Sequence, residues 1–160
     1  MTSRGPLDPI DARMLRALCR EPRASVVALA QAVGISRNTV QARLAKWDRD
    51  GFLLPFDHRV DPPTLGLPMR AFVRARVKQR QLSAIATALA AIPEVVEVLG
   101  LSGGSDLLIE VVARDADDLY RIAGQILDIP GVRRTNTSLV MRALINRRLA
   151  QLVGEPTRTG

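Results

Sequence analysis

The stretch LAQAVGISRNTVQARL, Leu29 to Leu44, sets the reading of the whole chain. Ala30 is small where two helices must cross closely, and Gly34 can take the positive φ that a tight turn between them requires. Ile35 plugs the gap between the helices, and Val40 and Leu44 anchor the second helix from below. Its outward positions are polar: Arg37, Asn38, Thr39, Gln41 and Arg43, with Lys46 further along. Arginine can pair with guanine edges, and Asn or Gln with adenine edges. Ser36 caps the second helix, whose N-terminus can take a phosphate. From Ser36 to Trp47 there is no Asp or Glu to repel a polyanion. A helix-turn-helix that enters the major groove fits this pattern. So does a helical hairpin with one solvated polar face.

Upstream, Asp8 followed by Pro9 is a helix start signal. Ile10, Met14, Leu15 and Leu18 then recur at helical spacing until Pro22. Ser25 caps a second helix with Val26, Leu29, Ala30 and Val33 inward, and Ser36 a third carrying Val40, Leu44 and Trp47 inward, closed at Gly51. Downstream, Phe52 to Phe56 reads as a short extended piece, and Asp57 to Pro68 as a linker rich in proline.

From Arg70 to Arg80 the period becomes two. Ala71, Val73, Ala75 and Val77 alternate with Phe72, Arg74, Arg76 and Lys78, as in a strand with one apolar and one largely basic face. The basic face admits a second DNA surface or cross-strand ion pairs in a polar dimer interface, because Asp106 and Glu110 follow the same alternation on the neighbouring strand. An amphipathic helix with Leu82, Ile85, Ala86, Leu89 and Ile92 ends at Pro93. Strands follow at Val95 to Leu101 and Leu107 to Ala113, then a helix with Leu119, Ile122, Ala123, Ile126 and Leu127, and a strand from Arg133 to Ile145.

The expected fold class is therefore α+β: a three-helix winged helix-turn-helix domain at 1–56, a linker at 57–68, a ferredoxin-like βαββαβ domain at 69–153 and a flexible tail at 154–160.

The composition agrees. The chain of 160 residues carries a net charge of +7, which favours a polyanionic partner. Its basic residues are almost all Arg, with Lys only at Lys46 and Lys78. Cys19 is its one cysteine, expected as a buried inert thiol in a reducing cytoplasm. Met1 to Pro6 lacks the apolar run of a signal peptide, and no apolar stretch is long enough for a membrane span. With His58 as the only histidine, no catalytic residues, metal site or cofactor are expected.

The turn Ser102-Gly103-Gly104-Ser105 before Asp106 also admits two readings. It can be a plain hairpin turn. It can also be a ligand cradle in which backbone N–H groups meet a carboxylate and Asp106 an ammonium group. Thr135 and Thr137 share one face of the last strand, where they are β-formers or further hydroxyl contacts.

Taken in order, several segments resemble the leucine-responsive regulator and AsnC family of transcription factors. They are LDPID (Leu7 to Asp11), LAQAVGIS (Leu29 to Ser36), the Arg43 to Gly51 stretch, Gly66, AFV (Ala71 to Val73) and Pro93-Glu94-Val95. The series closes with the G-x-x-D loop at Gly103 and Asp106, Pro130-Gly131-Val132, and Thr135-Asn136-Thr137. The sequence departs from the family at Trp47, usually aliphatic there, and at Gly104-Ser105, where an aromatic residue often precedes the aspartate. The resemblance implies double-stranded DNA as partner, a homodimer formed through the sheets, and higher assemblies of dimers. It also implies, for some members, an amino-acid effector bound between dimers near the G-x-x-D loop. An architectural protein that binds DNA with little sequence preference is the alternative. The ratio of specific to non-specific affinity separates the two.

Overall fold

The computed structural model describes residues 7–153. The expectations for residues 1–6 and for a flexible tail at 154–160 lie outside them. The described residues divide into two compact units: 7–58 together with 145–153, and Arg59–Leu144. The sequence division had placed 145–153 with the sheet; they group instead with the helices.

The helical unit holds α1 (Pro9–Arg20), α2 (Val26–Val33) and α3 (Arg37–Arg49). Each begins on a side-chain cap. Asp8 accepts from the Asp11 N–H, Ser25 from Ala28 and Ser36 from Thr39. Each such cap contributes about 1 kcal/mol by satisfying an orphan donor. Gly34 ends α2 at φ +73°, the left-handed conformation that lets α3 turn away at once. Met14, Leu29, Ala30, Val33, Val40 and Trp47 form the core, with Ile35 and Leu44 packed against it.

Two expectations change here. The piece after α3 is no strand: Phe52 stacks on Trp47 at 4.8 Å between ring centroids and donates its N–H to the Trp47 carbonyl at 2.8 Å. Phe56–Arg59 then forms a 3-10 turn. Among the described residues the unit has no β-wing, because Trp47 holds Phe52 in a turn. Cys19 is exposed, not buried. The inward face of α1 runs through Ala12, Met14, Leu15 and Leu18, and Cys19 lies outside it.

The sheet unit follows the order β1 (Met69–Val77), α4 (Leu82–Ala90), β2 (Val95–Gly100), β3 (Leu107–Ala113), α5 (Ala116–Leu127) and β4 (Val132–Leu139). All pairings are antiparallel, in the spatial order β2-β3-β1-β4. Ala71, Val73, Ala75 and Val77 are buried as their alternation requires, together with Ile109 and Val111 of β3, Ile85 and Leu89 of α4, and Ile122 and Ile126 of α5. Strand β4 stops well before Ile145. It pairs with β1, and β1 begins at Met69, so after the Val140 N–H bonds to the Arg70 carbonyl no partner backbone remains. The expected linker is not featureless: Pro62–Leu65 forms a 3-10 turn closed by Gly66 at φ +78°.

One buried acid ties the helices to the sheet. Asp118 accepts from the Arg114 backbone N–H at 3.1 Å, from the Arg114 side chain at 3.3 Å and from Arg121 at 2.7 Å; Arg121 also reaches Glu94. The Arg114 guanidinium and N–H, with Arg121, hold the Asp118 carboxyl far below the usual carboxylate range. A lowered folded-state value contributes stability that is complete above the ordinary Asp pKa of about 3.9 and is lost as pH falls through the folded value. Thermal unfolding of Asp118→Asn followed from about pH 5 to about pH 2 should therefore lose Tm less steeply than the parent chain. Parallel curves would show that Asp118 carries none of the acid sensitivity.

Candidate nucleic-acid interface and effector loop

The cap on α3 decides which of its side chains are free. The Ser36 hydroxyl accepts from the Thr39 N–H at 3.1 Å and lies 2.8 Å from the Thr39 hydroxyl. Both hydroxyls are thus engaged in starting the helix. Val40 and Trp47 then face the core, and this phase turns Arg37, Asn38 and Gln41 outward to exposed positions. Lys46 is exposed further along, and Thr39 is half-buried. An open groove of about 570 Å³, lined by Val27, Gln31, Gly34, Ile35, Ser36 and Arg37 among others, runs beside the start of α3.

Arg43 differs from its neighbours. Its guanidinium points back to the start of α1, where it donates to Asp8 and, at 2.8 Å, to Asp11. One turn on, the Trp47 indole N–H donates to the same Asp11 oxygen at 3.2 Å. Arg43 is thus engaged within the helical unit, whereas Arg37, Asn38 and Gln41 point outward. Burial pushes the Asp8 carboxyl up, but the Asp11 N–H and Arg43 outweigh it and leave it below its ordinary value. Hydrogen bonds to Asp8 and Asp11 raise Arg43 further still, so the pair stays ionised. Sequence reading had given Asp8 only a capping role and Asp11 none. The signal was present: acids three residues apart on α1, and Arg43 four residues before Trp47 on α3, each pair on one helix face.

In the sheet unit, Ser102 to Ser105 closes the hairpin between β2 and β3, with the Leu101 N–H donating to the Asp106 carbonyl at 2.8 Å. Gly103 sits at φ +105°, which a side chain would strain. Ser102, Gly103 and Gly104 are exposed and Ser105 is half-buried. The Asp106 carboxylate is already employed. One oxygen accepts from the Val77 N–H at 2.8 Å, the other from the Gln79 amide at 2.9 Å. The Val77 N–H, then Gln79, hold its pKa below the ordinary value, helped by the fields of Arg76 and Arg133. Asp106 thus closes the end of β1 where its register with β4 shifts between Arg76 and Val77. Gln79 was not singled out in the sequence, since a partner so far from Asp106 along the chain leaves no local pattern.

The structure brings Thr135 to the same end of the sheet, paired with Ala75, whose carbonyl accepts the Asp106 N–H. Strand β1 separates it from Asp106, a span of about 10 Å at the usual strand spacing. Thr137 lies two pairs further along, opposite Val73.

Comparisons with known proteins place this geometry. Residues 7–46 match the AsnC-type helix-turn-helix domain, and residues 70–150 match the Lrp/AsnC ligand binding domain. The HTH-type transcriptional regulator FL11 of Pyrococcus horikoshii is 31% identical over 139 residues, which cover 87% of this chain and 92% of that protein. The HTH-type transcriptional regulator AldR of Mycolicibacterium smegmatis is 33% identical over 142 residues, 86% of this chain and 83% of that protein. Among solved structures, E. coli AsnC superposes with a TM-score of 0.81 at 25% identity, covering 91% of this chain and 99% of its own. A Neisseria meningitidis transcriptional regulator solved as a complex with L-Met shares the fold, with a TM-score of 0.79 at 22% identity over 92% of this chain and 99% of its own. No helix among the described residues is long and apolar enough to cross a membrane. With both domains matched in order and the likeness extending over most of the length, the chain belongs to the Lrp/AsnC family: it is a sequence-specific DNA-binding transcriptional regulator and not an enzyme.

Proposed function

We propose that this regulator reads a pseudo-palindromic operator as a dimer or a multiple of dimers in the cytoplasm, and that its assembly responds to an amino acid or a similar small molecule. The observation that carries the DNA reading is the row Arg37, Asn38 and Gln41. All three are exposed on a helix whose opposite side is fixed in the core, and no acid stands between Ser36 and Trp47. These side chains have the donor and acceptor sets that distinguish base edges in the major groove. Lys46 supplies a phosphate contact, and the groove beside Ser36 and Arg37 seats another at the start of the helix, next to Thr39 of its first turn. Arg43 acts through α1 and sets the angle at which the row is presented.

One recognition helix covers only a few base pairs. Two of them related by a two-fold, joined through residues 68–145, would meet half-sites about 34 Å apart or a multiple of that. The effector reading rests on the exposed turn Ser102-Gly103-Gly104-Ser105, whose backbone amides can approach a carboxylate, and on the L-Met bound to the Neisseria protein of the same fold. Asp106 shapes that turn, and Thr135 and Thr137, both on β4 across β1 from it, are secondary contacts. The effector acts by linkage: it shifts the population of assemblies only by its differential affinity for them.

Three outcomes follow. Alanine at Arg37, Asn38 or Gln41 should cost about 1–3 kcal/mol on the operator and far less on random DNA. Equal losses on both would remove these residues from base reading. Lys46→Ala should lower the salt slope of DNA binding by about one, whereas Arg43→Ala should leave the slope unchanged while lowering both Tm and the ratio of specific to random affinity. A slope reduced as much by Arg43→Ala would return Arg43 to the phosphates. Thermal-shift titration against the twenty amino acids should raise Tm for at least one, and a flat panel would leave the Ser102–Asp106 segment a hairpin turn only.

A further inference from the structure

A second groove, of about 340 Å³, lies between α1 and α2. One wall is the row Arg13, Arg16 and Arg20, spaced three and four residues apart and so on one side of α1. The other carries Ala24, Ala28 and Ala32, spaced by four along the chain. Arg13 and Arg20 are exposed. No ion pair among the described residues engages either of them, or Glu21, which also lines the groove. Arg16 is half-buried and donates to the Val153 carbonyl at 3.5 Å. Like charges one turn apart weaken a helix, so the row works against α1 until an anion meets it.

Helix α2 separates this groove from the one at the start of α3. Val27 and Gln31 line the groove beside α3, and their chain neighbours Ala28 and Ala32 line this one. At helical spacing these four share one side of α2, while Leu29, Ala30 and Val33 are buried on the other. Both grooves therefore open on the same side of the helical unit, with α2 as the ridge between them.

We infer that a DNA backbone strand passes over α2 into this second groove, where Arg13, Arg16 and Arg20 bind its phosphates beyond the base pairs that α3 reads. The inference rests on the DNA reading above and adds a binding site to it. In a helix-turn-helix the first helix of the motif, here α2, crosses the backbone. Its exposed side then faces a sugar-phosphate strand, and the arginines stand on its far flank. Their row runs about 10 Å along the helix axis, and a guanidinium can hold a phosphate through two parallel hydrogen bonds. Opposite them the alanines place nothing larger than a methyl group, which leaves width for the sugars. Contacts of this kind fix register and orientation without reading sequence. Their contribution is shared equally by operator and random DNA.

Salt dependence of the full chain tests this. The double variant Arg13→Gln with Arg20→Gln leaves Arg16 and its contact with Val153 in place, and circular dichroism checks that it is folded. The slope of log affinity against log salt should shrink by about two, since each phosphate contact contributes about 0.9. Affinity should fall equally on operator and random DNA of the same length. A scan that replaces single phosphates by uncharged methylphosphonates should find flanking positions that weaken the parent chain and leave the double variant unaffected. A folded double variant with the parent's slope, beside an Arg37→Ala that has lost operator affinity, would overturn the inference. A scan with no such flanking position would do so as well. If the slope were unchanged and a poly-glutamate peptide bound the parent chain but not the double variant, the groove would belong to an acidic protein partner and the inference would fail. A parent chain that bound no DNA at low salt would instead remove the DNA reading itself, and this site with it.

Discussion

The alternate burial of β1 constrains the rest of the sheet unit. Ala71, Val73, Ala75 and Val77 lie under α4 and α5, and β1 is a central strand bonded to β3 on one side and β4 on the other. A one-residue slip would exchange these four for Arg70, Phe72, Arg74 and Arg76. Burying unpaired arginines beneath two apolar helices would cost several kcal/mol each, so the register has no near competitor. The small Ala71 and Ala75 leave room for Ile85, Ile122 and Ile126 to descend onto the strand. The same alternation sends every charge of β1 to the uncovered face. What holds the unit together and what it presents to a partner are therefore two readings of one strand.

In the helical unit an ion pair does the corresponding work. The apolar core fixes that α3 packs on α1 and α2, but apolar contacts are non-directional and tolerate some rotation. Arg43, held by Asp8 and Asp11, adds direction, and the Trp47 indole N–H adds a second tether to the same acid. Asp8 serves twice, as cap of α1 and as anchor of α3. Because these groups are only partly buried, their desolvation cost is small compared with that of a core pair. A recognition helix must be held at a fixed angle, and this contact supplies angle in place of more hydrophobic area.

Much of this was legible in the sequence where the signal is local. Asp8-Pro9, Ser25 and Ser36 marked three helix starts, Gly34 marked the turn, and the alternation from Ala71 to Val77 marked the strand and its buried face. Where a residue's fate depends on a distant partner, the sequence was silent or misleading. The end of β4 is set by where β1 begins, seventy residues earlier in roughly counted terms, and not by the β-forming run Leu139 to Ile145. Arg43 looked like its outward neighbours because its acids lie on another helix. Asp106 was open to reading as a turn residue, a ligand contact or a cross-strand ion-pair partner, because Val77 and Gln79 come to it only through the fold. Phe52, read as extended, is captured by Trp47.

The division of labour along α3 has an evolutionary consequence. Arg37, Asn38 and Gln41 are exposed and contribute nothing to the apolar cluster, while Val40, Arg43 and Trp47 do the holding. Surface substitutions that break no cap, pair or packing contact usually change stability by no more than about 0.5 kcal/mol. After gene duplication, then, the row on the outer side of the helix could drift to a new target while the chain folded as before. A scaffold built this way lets one genome diversify its switches without first having to reinvent the protein that carries them.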